Sequence, residues 1–373
     1  MHKVVDIAAM GRLEVRITAD DVGKRVSVRR VTESGDDGAR FTDTVGVLTS
    51  WDDGVLTVVR RSGDRVRIAA SSLVAGKIVP PVPARRRGPR ASYGELARIT
   101  GRAWQPVERE QLGDWELRAT AHARPGAARG AGPRPAGGTW RADSVLPLGD
   151  PGLPLDAALA RVRAWYARRG LPPAIQVATG AEGTQELLGE RLTAAGWVRE
   201  VSAEVRTAPL APLGEPGDLP GASGDPAVLE ATVRRVRLTR EAGGTGSATV
   251  APPDSAEPLG AAATAGPSVW CASVPREDPG DDADRAGARG AAPVAVGRCV
   301  VDGRWAGFLS VEVDPGHRRR GLATAVLTAL ARQALAEGAS AAWLQLGTDD
   351  TAARALYDRW GFELHHHYHV HRG

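Results

Sequence analysis

The sequence predicts an α+β protein in which a mixed sheet flanked by helices follows a small all-β domain. Short β-branched runs separated by turn residues fill the segment from about residue 23 to 79. Helical and strand patterns then alternate through about residues 91–208. A strand, a glycine-containing turn and an amphipathic helix follow one another between Trp305 and Leu335. Apolar periods near 2 and near 3.6 residues distinguish the two kinds of element.

Composition and charge restrict the class of protein. The 373 residues suffice for two or three domains, and 48 Lys and Arg against 44 Asp and Glu give a net charge of +4. This balance permits acidic ligands and does not require nucleic acid, which we do not expect as a partner. The two cysteines, Cys271 and Cys299, favour a reducing compartment and core positions. No apolar run reaches about 18 residues and no signal peptide is evident, so we expect a cytoplasmic protein with no membrane partner.

The N-terminal segment, residues 1–83, is predicted to form an SH3-like barrel. Turn residues at 52–54 and 62–64 separate β-branched runs, which is a hairpin signal. Few aromatic residues occur here, so we expect a structural or docking role. The predicted elements are the strands Arg25–Val31, Thr42–Trp51, Val55–Arg61, Arg65–Ala69 and Lys77–Val79, with one helical turn at Ser71–Val74.

The middle segment, residues 84–208, begins in a linker rich in proline and arginine, Pro80–Arg90. Its arginines could contact nucleic acid, but no aromatic residues are interleaved, which favours a solvated linker. Residues 122–138 are rich in Gly, Ala, Pro and Arg, and we predict no regular structure for them. The predicted helices are Ser92–Thr100, Leu155–Arg169 and Thr184–Ala195, and the predicted strands are Trp115–Arg118, Trp140–Leu148, Ile175–Ala178 and Val198–Thr207.

The C-terminal segment, residues 209–373, contains the stretch around which the chain is organised. We predict a helix over Ala227–Thr239, low-complexity loops at 241–267 and 275–293, and an antiparallel meander of Val269–Val274, Val294–Val301 and Trp305–Val313. After the meander, residues 314–321 carry three arginines and end in Gly321 before a helix. Such a turn leaves backbone N–H groups unpaired in front of a helix dipole, which suits a pyrophosphate. A solvated basic turn is the alternative interpretation.

Two motifs carry a resemblance to a known family. The spacing Arg-x-x-Gly-x-Ala at Arg318, Gly321 and Ala323 resembles the acyl-CoA loop of the GNAT superfamily of N-acetyltransferases. The stretch from Asp350 to Phe362 resembles the closing motif of that family, usually Asn-x-x-Ala-x-x-Leu-Tyr-x-x-x-Gly-Phe. The first motif is not a P-loop, because no Gly-Lys-Ser/Thr follows. The resemblance implies the GNAT acyl-CoA N-acyltransferase fold for the C-terminal domain.

An internal repeat extends the resemblance. Arg191–Val205 parallels Leu356–Val370, with Leu192 where the second copy has Tyr357 and without an anion loop before it, so we interpret the first copy as a degenerate half. The arrangement resembles an actinobacterial family with an SH3-like barrel, a degenerate GNAT-like half and a C-terminal GNAT domain. Histone-like or other basic protein acceptors have been proposed for some members. The residues that carry this resemblance are Trp140–Gly149, Trp165–Pro172 and Val301–Gly307.

The resemblance also implies roles for individual residues. Tyr357 would be the general acid, because a phenol stays protonated at neutral pH and can donate to the leaving sulfur; a packed helix aromatic is the alternative. Asp350 would contact the cofactor in the place of an asparagine, and an ionised carboxylate there can only accept hydrogen bonds. The other implied cofactor contacts are Val311 and Val313 for the pantetheine arm, and Arg318, Arg319, Arg320, Gly321, Leu322, Ala323 and Thr324 for the pyrophosphate.

The general base stays open. Gln345 stands where some protein-acetylating relatives carry a glutamate, and an amide cannot accept a proton. Glu312 is the candidate catalytic carboxylate, although strand alternation can direct it away from the ligand. A water relay or an acceptor that arrives neutral are alternatives. The histidines at 365, 367, 369 and 371 share one face of an extended strand, and we expect them to pack on an edge or final strand along the acceptor side; a zinc pair or a histidine base are alternatives.

These observations predict an acetyl-CoA-dependent N-acetyltransferase, with acetyl-CoA as cosubstrate and no metal. The acetyl group would pass directly to an amine in a ternary complex, and the acceptor is a small molecule or the lysines of a basic protein. A non-catalytic acyl-CoA-binding sensor or scaffold is the alternative that Asp350 and Gln345 favour. A chromatin- or ribosome-associated module that acts through the barrel and Arg85–Arg90 is a third possibility.

Overall fold

The computed structural model describes residues 14–32, 40–80, 88–120, 139–215, 232–234, 236–240, 267–276 and 292–373. The linker arginines Arg85, Arg86 and Arg87 lie outside these ranges, as do residues 122–138 and most of the two predicted low-complexity loops. None of the helices in the described ranges combines the length and the apolarity that a membrane crossing requires.

The N-terminal segment forms a five-stranded antiparallel sheet in the order β4-β3-β2-β1-β5. The turn at Asp53-Gly54 has φ values of 49° and 72°, the left-handed conformation of a tight hairpin, as the sequence predicts. Closure of this sheet into an SH3-like barrel stays a prediction. The strands are β1 (Arg25–Thr32), β2 (Arg40–Asp52), β3 (Val55–Val59), β4 (Arg65–Ala69) and β5 (Leu73–Ile78), and a 3-10 turn spans Ala70–Ser72.

A small sheet and three helices follow. The helices are α1 (Tyr93–Ala103), α2 (Leu155–Ala167) and α3 (Glu186–Ala194), and the three-stranded sheet contains β6 (Glu108–Leu112), β7 (Trp115–Ala119) and β8 (Leu146–Pro147). The predicted long strand Trp140–Leu148 is confirmed only at Leu146–Pro147, which form β8, and residues 139–141 form a 3-10 turn instead. The Arg118 side chain takes the carbonyl groups of Arg141 and Ser144, which a neighbouring strand would otherwise bind.

An eight-stranded mixed sheet forms the centre of the protein, in the order β11-β12-β13-β14-β15-β10-β16-β9. Its pairs are antiparallel except β14 with β15, which is parallel. The predicted meander is β12 to β14. The strands are β9 (Ala174–Thr179), β10 (Val198–Pro209), β11 (Arg237–Arg240), β12 (Ser268–Val274), β13 (Ala295–Asp302), β14 (Trp305–Val313), β15 (Ala341–Gly347) and β16 (Glu363–Arg372), and the helices are α4 (Ala211–Gly214), α5 (Leu322–Ala336) and α6 (Thr351–Arg359).

Two predictions for this region fail in part. The predicted helix Ala227–Thr239 is helical only at residues 232–234 within the described ranges, and β11 follows because its backbone completes the edge of β12. The last strand, β16, is not an edge strand, since β10 and β9 flank it on both sides. The middle and C-terminal segments therefore share one sheet, and β10 itself crosses residue 208.

Helices cover both faces of the large sheet. The apolar face of α5 packs on β12, β13 and β14 around the fully buried Leu330 and Cys299. Burial raises the pKa of the Cys299 thiol, so this cysteine is an unreactive core residue, whereas Cys271 is half-buried. On the opposite face Leu96 of α1 packs against Trp305 and Trp343. The region where β14 leaves β15 lies between these two layers.

Candidate functional site

Strands β14 and β15 pair over four residues and then separate. Their parallel register runs from Trp305 beside Ala341 to Phe308 beside Leu344. Beyond that point β14 stays paired with β13, and β15 stays paired with β10. The β14 edge over residues 309–313 therefore presents backbone N–H and C=O groups to the gap between the two strands.

A β-bulge at Ser310 accompanies the separation. Ser310 has φ of 49°, and the register of β14 on β13 shifts between the partners Val296 and Arg298. A bulge of this kind bends the strand and increases its twist. Sequence inspection gave no signal for it, because a serine in a strand pattern does not indicate a positive φ.

The bulge also decides which side chains face which layer. The side chains of Val311 and Val313 pack against the apolar cluster under α5 and anchor this part of β14 to it. Their backbone lies on the open edge of the strand. By alternation Glu312 points to the opposite face, and it is exposed. Glu312 is thus on the α1 side of the sheet and not on the α5 side.

The turn between β14 and α5 is held by Asp314. Its carboxylate accepts the Gly316 N–H at 2.8 Å and pairs with Arg276 at 3.0 Å. Hydrogen bonds from His317, from the Gly316 backbone and from Arg276 hold the pKa of Asp314 below its ordinary value. The Asp314 carboxylate, which stays ionised at neutral pH, therefore fixes the conformation of the first half of the loop.

The second half of the loop leaves its donors free. Arg319 and Gly321 have φ of 63° and 76°, and such alternation of left- and right-handed residues turns successive N–H groups towards one point. Within the described ranges, no group accepts a hydrogen bond from the backbone N–H groups of residues 319–324. We call these residues the anion loop. With the dipole of α5 behind it, the loop offers a site for phosphate oxygens.

The arginine side chains of the loop add positive charge. Arg318 donates to the Val313 carbonyl at 3.3 Å, which folds it back along the end of β14. Arg319 and Arg320 are exposed, and in the described part of the chain neither forms an ion pair. Leu322, Ala323 and Thr324 are half-buried in the first turn of α5, where their backbone contributes more than their side chains.

Asp350 and Tyr357 lie at the start and in the body of α6. The Asp350 carboxylate caps the helix by accepting the Ala353 N–H at 2.9 Å, a role that aspartate and asparagine perform equally well. Its contact with a cofactor stays a prediction. Tyr357 is half-buried and packs edge-on against Phe362 with ring centroids 5.5 Å apart.

The Tyr357 hydroxyl is a neutral proton carrier. Burial, and then the charge of Asp350, raise the pKa of Tyr357 to about 12. No residue of the described chain forms a hydrogen bond with this hydroxyl. Tyr357 borders the same apolar cluster as Val311, Val313 and Leu322. The approach of its hydroxyl to the open edge and the anion loop stays a prediction.

The histidines of β16 serve a different contact. A register shift next to His366 breaks the alternation, so His365 reaches the Ala91 carbonyl at 3.0 Å on the α1 side. His367 instead contacts the Arg61 carbonyl of the N-terminal segment at 2.9 Å, and His369 contacts the Thr179 hydroxyl at 3.0 Å. Three or more His, Cys, Asp or Glu side chains are nowhere arranged as a metal site within the described ranges.

Burial keeps these imidazoles uncharged. It lowers the pKa of His369 to about 3 and that of His371 to about 4, with nearby Arg199 as the next cause in each case. Both rings are therefore weak proton acceptors. They lie against the N-terminal segment instead of lining an acceptor site.

Sequence reasoning missed a group of residues on the α1 side. Trp104, at the end of α1, donates from its indole to the Gln345 side chain at 2.8 Å. Arg141 stacks over Trp104 and Trp140 at 5.2 and 4.2 Å from the ring centroids. No local motif marks these residues, because more than 200 positions separate Trp104 from Gln345.

Comparison with known proteins bears on this site. Three solved structures resemble the chain weakly. One is a GCN5-related N-acetyltransferase from Kribbella flavida, 19% identical over 75% of this chain and 96% of that chain, with a TM-score of 0.41. Another is a tandem GNAT protein from the clavulanic acid biosynthesis pathway, 12% identical over 58% and 69% of the two chains, with a TM-score of 0.36. The third is a GCN5-related N-acetyltransferase from Sphaerobacter thermophilus, 15% identical over 59% and 67%, with a TM-score of 0.34.

Curated proteins give no match to the sequence. The family comparison is more informative, because it falls on the segment that holds the open edge of β14, the anion loop and Tyr357. Residues 275–362 of this chain match the Acetyltransferase (GNAT) family.

Proposed function

We propose that the protein is an acetyl-CoA-dependent N-acetyltransferase that transfers the acetyl group directly to an amine in a ternary complex. The observation that carries the proposal is the anion loop, whose unpaired N–H groups lie at the end of the open β14 edge. The fit to acetyl-CoA is chemical: the loop suits a pyrophosphate, and the edge suits an amide-containing arm. Acetyl-CoA supplies an acyl thioester when bound.

Each part of the proposed site would have a separate role in binding or proton transfer. The backbone of residues 309–313 would bind the pantetheine arm, and residues 318–324 would bind the pyrophosphate. The amine nitrogen forms the new C–N bond, the C–S bond breaks, and the sulfur takes a proton from the Tyr357 hydroxyl. A phenol with a raised pKa keeps that proton until the thiolate forms.

The amine must also lose a proton. With the pyrophosphate on the α5 side, the acceptor reaches the thioester from the other face, where Glu312 is the exposed carboxylate of β14. We retain Glu312 as the candidate base. Gln345 cannot take this role, because an amide is not a base. A water relay, or an acceptor that arrives neutral, would replace Glu312.

The remaining chain completes the proposal. The N-terminal strands would close into an SH3-like barrel that docks on β16, and the protein would act in the cytoplasm. The functional segments would be residues 1–83, 84–208 and 209–373. A non-catalytic acyl-CoA sensor is the rival, and Gln345 favours it because an amide provides no proton acceptor at that position.

Release of the CoA thiol from acetyl-CoA tests the proposal, with amino acids, polyamines, aminoglycosides and basic proteins as acceptors. Tyr357→Phe should lower turnover roughly a hundredfold while calorimetry shows unchanged acetyl-CoA affinity. Tight acetyl-CoA binding without turnover on any acceptor would establish the sensor instead. Absence of acetyl-CoA binding would contradict the assignment of the anion loop.

A further inference from the structure

A narrow, closed pocket lies on the α1 face of the large sheet, and as it stands it has no room for a group the size of a water molecule. Its walls come from α1, β7, residues 141–146, β9 and β15, and its polar lining consists mainly of Trp104, Arg118, Arg141, Gln176 and Gln345. Gln345 is the first residue of β15 beyond the last pair with β14. One wall of the pocket therefore starts where the two strands separate.

Two arginines dominate the pocket. Arg118 is 1% exposed and Arg141 is 9% exposed. Arg118 donates to the Ser144 carbonyl at 3.0 Å and to the Arg141 carbonyl at 2.8 Å, and Arg141 donates from Nε to the Tyr368 hydroxyl at 3.1 Å. Nη1 of Arg118 and both Nη atoms of Arg141 have no hydrogen bond to the described chain. Each guanidinium therefore has N–H groups available to a ligand.

Neither guanidinium forms an ion pair with a carboxylate of the described ranges, although the charge of Glu116 acts on Arg118. The buried carboxylate of Asp143 accepts instead from the backbone and hydroxyl of Thr120, both at 2.6 Å. The Arg141 charge is balanced in part by the faces of Trp104 and Trp140. Burial lowers the pKa of the Arg118 guanidinium, and the charge of Glu116 offsets this only in part, so the buried cation is incompletely balanced.

We propose that this pocket binds the carboxylate of the acceptor, which is therefore an amine of amino-acid type. The inference rests on the proposed function and specifies its substrate. A carboxylate is planar and matches the fork of an arginine, and it would supply the charge that the pocket lacks. Because the Gln345 wall adjoins the strand separation, a carboxylate bound here leaves the amine of the same molecule near the open edge of β14. A polycationic acceptor would meet two buried positive charges at this point.

The binding is expected to displace Trp104. Its indole N–H is held by Gln345, and both side chains line the pocket, so a ligand that enters from the strand separation passes between them. The freed Gln345 amide could then donate to the carboxylate while the Arg141 guanidinium receives it. This step requires side-chain movement only.

The test uses sets of acceptors that differ only in the carboxylate. Phenylalanine, phenylalaninamide and phenethylamine form one set, and alanine, alaninamide and ethylamine form another. We expect kcat/KM for CoA release to be at least about tenfold higher for the carboxylate member of each set. Arg141→Gln should remove that preference, and Arg141→Lys should retain part of it. Arg102→Gln is the matched control, because Arg102 lies on α1 with an exposed pair to Asp302 at 2.7 Å and should leave the preference unchanged.

Direct binding separates this inference from the proposed function. Calorimetry should show phenylalanine binding to the full chain in the presence of CoA, with loss of binding in Arg141→Gln and retained far-ultraviolet circular dichroism. Equal turnover of the acid and the amide would overturn the carboxylate pocket and leave acetyl transfer intact. A protein that binds no acetyl-CoA but loses phenylalanine binding in Arg141→Gln would refute the transferase and keep the pocket. No binding of either carboxylate to the wild-type protein would refute the pocket.

Discussion

Glu204 of β10 and Arg354 of α6 form an ion pair with an N–O distance of 2.9 Å. Glu204 is 5% exposed, and its other oxygen accepts from Arg206 at 2.7 Å. Arg206 continues to the Asp358 carboxylate and to the Phe362 carbonyl. The helix that carries Tyr357 is thus tied to the sheet through a buried network of charges, in addition to its apolar contacts.

Replacement of Glu204 by glutamine should weaken this attachment. It leaves the buried Arg206 and the partly exposed Arg354 with less counter-charge, so the free energy of unfolding in urea should fall by about 3 kcal/mol. Glu200→Gln is the control: Glu200 pairs with Arg372 at 2.9 Å but its side chain is 45% exposed, and its loss should cost under about 1 kcal/mol. Equal effects of the two substitutions would mean that the network does not stabilise α6.

Gly321 and Gly338 provide a comparison at the two ends of α5. They have φ of 76° and 89°, and an added Cβ would meet no atom within 4 Å at either position. Alanine at either site should therefore lower stability by about 1 kcal/mol through backbone strain alone. Only Gly321→Ala should also weaken acetyl-CoA binding in calorimetry, because it changes the direction of the N–H groups in the anion loop. Weaker binding in Gly338→Ala would attribute the effect to general destabilisation.

Acid should destabilise the protein through the histidines of β16. Above pH 6.5 His369 and His371 are neutral in both the folded and the unfolded chain and contribute no pH dependence. Below pH 6.5 these two histidines become protonated in the unfolded chain. In the folded chain they stay neutral until the pH falls to their pKa values of about 3 and 4. The loss at pH 5 is roughly 2 kcal/mol for each histidine.

Unfolding free energies at pH 7 and pH 5 measure this loss. His369→Gln removes one of the two groups and retains an amide for the Thr179 and Ser202 contacts. The difference between the two pH values should shrink by roughly 2 kcal/mol in this variant. An unchanged difference would show that His369 titrates normally in the folded state.

The pH profile of turnover should reflect the raised pKa of Tyr357. With a pKa of about 12, the hydroxyl stays protonated between pH 7 and pH 10, so kcat should not fall over this range through loss of the acid. Stopped-assay rates across that range provide the measurement. An alkaline decline that disappears in Tyr357→Phe would contradict the raised pKa.

Local patterns predicted those parts of the molecule that local chemistry determines. The Asp53-Gly54 turn, the meander strands and the helix after Gly321 each follow from a few consecutive residues. The order of the two motifs, one helix and one strand apart, is also confirmed. The placement of the Tyr357 hydroxyl at the anion loop stays a prediction.

Features created by distant contacts escaped prediction. The side chain of Arg118 binds the carbonyl groups of Arg141 and Ser144 in the part of the predicted strand that forms a turn, and only the fold brings these groups together. The pocket joins Trp104 to Gln345 for the same reason. The pattern of the β16 histidines predicts packing along the acceptor side, and it does not reveal that His367 and His369 lie against the N-terminal segment.

The position of β16 between β10 and β9 sets an order of assembly. More than 150 residues lie between Pro209, where β10 ends, and Glu363, where β16 begins. During synthesis on the ribosome, the edges of β9 and β10 that pair with β16 therefore stay unpaired until the intervening chain has emerged. The β9 and β10 strands lack their shared partner until β16 has been synthesised, so the nascent chain exposes their pairing edges during that interval.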